Sequence, residues 1–432
     1  MAHPIYQTVI IGGGFTGLFA ALHLSQQQYP RTVILIDRND RFCFKPLLYE
    51  YLSGEMDAEK VLPPYEELLK GSGVIFVRDS VESIDLQQRQ IRLASGDSYG
   101  YSDLVLALGS VTGFFGIAGA QKNSLPFRNQ VDAIALDLHL RSCLQQAIQL
   151  QESAQRNRLL TIVVVGCGPS GVEMAATLAD LVPQWYEAMD GSRSHIRIVL
   201  VIHSELLKGD VNSHLRATAE RELEMRIIPV ELLLSAEVTT IHPQAVEYNQ
   251  NGQTHTLAAE TIIWTAGTTT NPLIKSLPIP DQSRDKHGRL FVKSTLQLPD
   301  FPEVFAGGDC AIEISGSSQH SAPLPQTAQV AYQQGYAIAH NLNAIAFDRP
   351  LEPVQVNLNG TLMKLGIKSS AANLFDKFEF TGEVGHLIRQ CTYLELLPTP
   401  IHNCKATNDW LKDEIFKRHY DNALERLQTT RK

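Results

Sequence analysis

"TIVVVGCGPSGVEMAATL", Thr161 to Leu178, decides the fold. An apolar, strand-like run leads into G-x-G-x-x-G (Gly166, Gly168, Gly171) and then into a helical pattern, the arrangement of a dinucleotide-phosphate loop. The same arrangement stands near the start of the chain in "VIIGGGFTGLFAALHL", Val9 to Leu24, with Gly12, Gly14 and Gly17. One such glycine pattern is weak evidence; two, each with a strand before and a helix after, are internal duplication of a nucleotide-binding unit. After the first copy, "RTVILID" ends in Asp37, 20 residues beyond Gly17. A Rossmann unit places there the carboxylate that hydrogen-bonds an adenosine ribose.

A glycine-rich turn brings backbone N–H groups and a helix N-terminus against a pyrophosphate, so each copy can hold one dinucleotide. Two dinucleotides in one chain point to hydride transfer between a nicotinamide and a flavin. The rest of the composition agrees. With 432 residues, 44% hydrophobic and 19% charged, the chain can bury large cores in two or three domains. A net charge of −9 disfavours a nucleic-acid partner, which needs a basic field.

The first strand begins too early for a charged region followed by an apolar signal stretch, so a cytoplasmic protein is expected. No run approaches the roughly 18 apolar residues of a membrane-spanning helix. Cysteines 43, 143, 167, 310, 391 and 404 are scattered, with no C-x-x-C or C-x4-C pair. That spacing argues against structural zinc, so no metal is expected, and against a redox-active disulfide.

Taken together, "IIGGGFTGL", "FKPLLYEYLSG" (Phe44 to Gly54), "DLVLALGSVTGFFGIAGA" (Asp103 to Ala120), "VVVGCGPSGVEMA", "IIWTAGTTTNPLI", "VFAGGD" and "PQTAQVAYQQG" resemble the type II NAD(P)H dehydrogenase family. These are single-chain, non-proton-pumping, FAD-dependent NAD(P)H:quinone oxidoreductases. The resemblance runs from residue 8 to about 345 and weakly to about 372. It implies an α/β fold of two Rossmann-like domains, with FAD and NADH or NADPH as cofactors and a quinone as substrate. The FAD domain would comprise 1–125 and 285–350, the NAD(P)H domain 126–284, and a C-terminal segment 351–432.

Carried over residue by residue, the resemblance puts Gly12, Gly14 and Gly17 at the FAD pyrophosphate and Asp37 on its ribose, with Phe15, Thr16 and Arg38 among the cofactor-binding residues. Lys45, Val81, Ala107, Gly109, Gly308, Asp309 and Ala328 would line the rest of the flavin. Asp309, closing "VFAGGD" at an expected helix start, would bond the ribityl or pyrophosphate region, although the position also suits a plain N-cap. Gly166, Gly168, Gly171 and Gly267 would hold the nicotinamide nucleotide.

In "PQTAQVAYQQG", Gln329 and Gln333 are four apart and share a helix face. Neutral amides can hydrogen-bond quinone carbonyls without charging an apolar pocket; in the resembling family this helix lines the quinone site. Glu173 matches the family's acid after the second loop and would stand near the rings as a proton relay. As an acid expected in the first helical turn, it is also what a helix dipole favours.

The strand "HIRIVLVI" (His195 to Ile202) runs on into His203 and Ser204, and the first acid waits until Glu205. A missing carboxylate removes repulsion toward a 2′-phosphate, and His203 and Ser204 could donate to one, so NADPH use is expected. At the C-terminus, apolar residues at 411, 415, 416, 420, 423, 424 and 427 form one helical stripe. Residues 405 to 432 carry seven Lys/Arg and five Asp/Glu, a local +2. Such a helix suits peripheral attachment to an anionic membrane on its inner face; packing on the body or in a homodimer is the plainer use. Two rival readings remain: a sulfide:quinone oxidoreductase, which needs a cysteine pair at the flavin, and a flavoprotein that senses NAD(P)H through partner binding.

Overall fold

The computed structural model describes residues 7–408 apart from 152–153, 208, 210, 315–322, 376, 401 and 405. The chain divides into two compact units. The first holds Met1–Cys43, Leu62–Val111 and Thr268–Leu358; the second holds Phe44–Val61, Thr112–Gly267 and Asn359–Lys432.

In the first unit, five parallel strands lie in the order Val304–Ala306, Asp103–Leu106, Gln7–Ile11, Thr32–Asp37, Ile75–Arg78. Val9, Ile10 and Ile11 are at most 1% exposed. A strand covered on both faces has no use for alternation, which is why these segments read as unbroken apolar runs. Each such side chain taken from water contributes on the order of 1.5–3 kcal/mol. The helix Phe15–Gln26 packs against the helix Ala328–Ala346. Their backbones meet closely at Gly335, where a Cβ would lie 2.5 Å from the Thr16 carbonyl oxygen. The Thr16 hydroxyl ties the pair by donating to the Ala331 carbonyl at 3.1 Å. The helix bearing Gln329 and Gln333 is thereby fixed to the helix that follows the first glycine loop.

The second unit repeats the plan. Its parallel sheet runs Glu231–Leu234, Arg197–Ile202, Thr161–Val165, Thr261–Trp264, Leu125–Pro126. An antiparallel meander, Ala236–His242, Ala245–Gln250 and Gln253–Ala258, covers it, with Val238, Ile241 and Val246 joining Val163, Val199, Ile262 and Trp264 in one core.

Residues from Asn359 onward contribute a further antiparallel sheet. Its strands are Gly360–Lys364, Ser370–Leu374 and Phe378–Phe380, followed by the helix Gly382–Glu395. The expected amphipathic helix from Leu411 to Leu427 lies outside the described residues. Among the described residues no helix is long and apolar enough to cross a membrane.

Candidate functional site

The two glycine loops are the same backbone device built twice. Gly12 and Gly166 adopt φ of +99° and +131°, conformations that L side chains rarely take. A Cβ on Gly17 would lie 1.9 Å from the Gly12 carbonyl oxygen, and one on Gly171 the same 1.9 Å from that of Gly166. Each loop ends at a helix whose N-cap, Gly14 or Gly168, offers no side chain to its first N–H groups. Those donors are left for a ligand. A Cβ on Gly14 would meet nothing within 4 Å, so the first cradle opens onto free space. This is the geometry a pyrophosphate requires.

Around the first loop, the Asp37 carboxylate accepts from the Gly13 N–H at 2.7 Å and from both the backbone and the side-chain amide of Asn39, at 2.8 and 3.0 Å. A carboxylate has about four lone-pair sites, so capacity for a ribose hydroxyl is left. The Tyr65 hydroxyl donates to the Gly13 carbonyl at 2.7 Å. Burial, then the nearby Asp37 charge, pushes that phenol well above its ordinary pKa, which keeps it a donor. Tyr65 was not singled out from the sequence.

Phe15 is half-buried, Thr16 and Ala107 are buried, Val81 and Ala328 are half-buried, and Arg38 is exposed. Gly109 and Gly308 take φ of +62° and +70°. Asp309 accepts from the Ser110 hydroxyl at 2.7 Å, within a 3-10 turn, Gly308–Cys310, whose N-cap is Gly307. The N-cap role considered for Asp309 is therefore not the one it has. Lys45 is exposed, on the 3-10 turn Lys45–Leu47 of the second unit.

The glutamine pair is engaged. Gln329 Nε2 donates to the Asn357 carbonyl at 3.1 Å; Gln333 Nε2 donates to the same oxygen at 3.0 Å and to the Gln329 carbonyl at 3.2 Å. Gln333 Oε1 accepts the Asn357 N–H at 2.8 Å. The side chain of Gln333 thus pairs with both backbone groups of one residue, Asn357. The neighbouring Gln334, buried and not anticipated from the sequence, accepts the Gly308 N–H at 2.7 Å.

In the second unit, Glu173 departs from its expected position. It is the fifth residue of the helix Pro169–Glu187, one turn beyond the start, and the first turn holds no acid. The dipole effect fades past the first turn, so it cannot account for this carboxylate. What surrounds it is a buried charge cluster. Glu173 Oε1 accepts the Lys364 backbone N–H at 2.8 Å and lies 3.8 Å from Arg389 Nη2. Arg389, wholly buried, donates to Glu50 Oε1 and, at 2.6 Å, to the Pro46 carbonyl. The Lys364 ammonium, also wholly buried, bonds Glu55 and lies 3.5 Å from Glu50.

Three carboxyl groups here face two cations, so the cluster is neutral when one acid keeps its proton. Glu173 is the acid that burial favours for it. Burial lifts its pKa to about 7, against the pull of Arg389. Burial acts the same way on Glu55, but Lys364 and His386 outweigh it and bring that carboxyl down to about 2. His386, desolvated and beside Lys364, falls to about 4 and is neutral near pH 7. Of these residues only Glu173 was picked out from the sequence; Glu50 was hidden inside "FKPLLYEYLSG", and Lys364 and Arg389 gave no local signal.

Gly267 takes φ of +135° and accepts the Gly113 N–H at 3.0 Å. His203 and Ser204 are exposed at the carboxyl end of the strand Arg197–Ile202.

A family model, pyridine nucleotide-disulphide oxidoreductase, matches residues 6–335. The demethylphylloquinone reductase NdbB of Synechocystis sp. is 33% identical over 421 residues, spanning 94% of this chain and 97% of that protein. The chain belongs to the type II NAD(P)H dehydrogenase family. The alternative NAD(P)H-ubiquinone oxidoreductase C1 of Arabidopsis thaliana is 30% identical, with 93% of this chain and 79% of that one covered. The fold matches NDH2 of Plasmodium falciparum, solved in complex with NADH, with a TM-score of 0.82 at 19% identity over 95% of this chain and 98% of that one. As a type II NAD(P)H dehydrogenase, the chain is an NAD(P)H-quinone oxidoreductase.

Proposed function

We propose that the glycine cradle of Gly12, Gly14 and Gly17 holds FAD and that of Gly166, Gly168 and Gly171 holds the nicotinamide nucleotide, so that the chain reduces a quinone with NAD(P)H. One observation carries the reading: the same uncapped cradle is built twice, each at the carboxyl end of a central parallel strand. Asp37 would take the flavin's ribose and Asp309, held by Ser110, its ribityl or pyrophosphate part. Bound flavin supplies a two-electron carrier between nicotinamide and quinone.

The division of labour proposed is a FAD domain of 1–125 and 285–350, an NAD(P)H domain of 126–284 and a C-terminal segment of 351–432. Quinone reduction consumes two protons, and Glu173 holds one close to neutral pH. Lys364 and Arg389 keep that carboxyl in place through its Oε1. Gln329 and Gln333 would meet the quinone carbonyls; their present bonds to Asn357 mean that the 351–358 segment sets how much of each amide is offered. The acceptor proposed is a membrane quinone or naphthoquinone, supported by a relative named for demethylphylloquinone. Peripheral attachment through 405–432 follows from that substrate's hydrophobicity. His203 and Ser204, both exposed, support NADPH as donor.

Cys310, next to Asp309, is poorly suited to sulfide chemistry. The Cys310 thiol is fully buried and donates to the carbonyls of Leu106 and Gly307 at 3.3 and 3.2 Å, and burial pushes it up to about 11. The test is anaerobic bleaching of the purified protein's flavin spectrum by NADH and by NADPH, then reoxidation by a panel of benzo- and naphthoquinones. Bleaching without reoxidation by any quinone would sink the acceptor assignment; no bleaching by either nucleotide would sink the donor assignment.

A further inference from the structure

The strand end next to the second glycine loop carries an ion pair that the nucleotide-binding reading does not use. Arg197–Ile202 runs parallel to Thr161–Val165, with Val201 opposite Val165, and Gly166 N–H donates to the Val201 carbonyl at 3.3 Å. Five residues past the strand, the Leu207 N–H donates to the Cys167 carbonyl at 2.7 Å, drawing the intervening segment against the loop. A nucleotide whose pyrophosphate lies on Gly166–Gly171 therefore places its adenosine ribose at His203, Ser204 and Glu205.

Glu205 is the acid there, and its charge is met by a guanidinium. It accepts from Nη1 of Arg216, which projects from the first turn of the helix Ser213–Glu224. That helix start is fixed by Asn212, whose side chain accepts the Leu215 N–H at 2.8 Å. Arg216 is mostly buried, with 20% of its side chain exposed against 50% for Glu205. Its buried Nε has no hydrogen-bond partner among the described residues. The pair thus brings a guanidinium, most of its stem packed away, to the place where a nucleotide's 2′ position arrives. It also offsets the negative charge of Glu205, which would otherwise repel a phosphate there.

Resting on the assignment of this loop to the nicotinamide nucleotide, we propose that Arg216 recognises the 2′-phosphate of NADPH, with Glu205 holding its guanidinium at the strand end. Guanidinium N–H groups form charge-assisted bonds to a phosphate while one N–H stays with the carboxylate. His203 and Ser204 contribute at the exposed rim. Removing Arg216 would do two things at once: it takes away the phosphate's cation and leaves the Glu205 charge uncompensated, which repels a 2′-phosphate and favours NADH.

The test uses the holoprotein and two probes, adenosine 2′,5′-bisphosphate and 5′-AMP, titrated by calorimetry, beside kcat/KM for NADPH and NADH. The wild type should bind the bisphosphate at least about tenfold more tightly, and Arg216→Met should erase that preference while 5′-AMP binding is kept. Turnover should follow, with NADPH losing about tenfold or more through KM and NADH losing little. Arg216→Lys, which keeps the charge, guards against a folding defect and should retain part of the preference. Equal affinity for both probes in the wild type, or a preference that survives in Arg216→Met, overturns the proposal. Failure of both probes to bind the wild type overturns the loop assignment beneath it as well.

Discussion

Glu173 shows how a residue's chemistry comes from its neighbours. In the sequence it is one acid on a largely apolar helix; in the structure burial raises its carboxyl from 4.5 to about 7. A group so raised binds a proton in the folded chain that the unfolded chain has lost between those values. Stability therefore falls as pH rises from about 4.5 to about 7, by up to about 3 kcal/mol at roughly 1.4 kcal/mol per unit. Glu173→Gln should flatten that slope, as read by denaturant unfolding across the range. The same variant should lower quinone turnover while flavin content holds, and the wild-type rate should decline as pH rises through about 7 because the proton is then gone. A variant with normal turnover and an unchanged pH profile would leave Glu173 no part in the reaction.

At the scale of elements, the helix Gly382–Glu395 matters through one side chain. Arg389 reaches Glu50 on the helix Leu48–Ser53, the Pro46 carbonyl and, more distantly, Glu173. Its guanidinium carbon also stands 4.8 Å from the Tyr393 ring centre. A charge with 0% exposure persists only with partners, and taking one partner away strands the other. Arg389→Met should cost about 3–5 kcal/mol, and adding Glu50→Gln should recover part of it. Urea unfolding of the single and double variants checks this. Additive losses would mean that the two side chains do not act as a pair.

Over the whole molecule, the expected surface role of residues 405 to 432 is open to a direct measurement. Deleting them should abolish co-sedimentation with anionic liposomes while NAD(P)H-dependent bleaching of the flavin is kept. Pelleting equal to that of the full chain would remove the membrane role. The described part of the C-terminal segment already has another one: Lys364 and Arg389 both come from it, from the strand Gly360–Lys364 and the helix Gly382–Glu395.

What the sequence alone determined is the pair of nucleotide cradles, with the parallel strands beneath them. A glycine loop is a local device: its positive φ and the 1.9 Å approach of Gly17 to Gly12 and of Gly171 to Gly166 arise within a few residues of chain, so the glycine spacing records them. The apolar runs of Gln7–Ile11 and Thr161–Val165 are as legible, because burial on both faces leaves one kind of side chain. The tertiary structure alone decided how the chemical groups are held. Glu173 draws its partners from residues 191 and 216 positions away, and the amides of Gln329 and Gln333 from a peptide 28 and 24 positions on. Hydrogen bonds and buried charges are satisfied by whatever folding brings within about 3 Å. No periodicity along the chain carries that information.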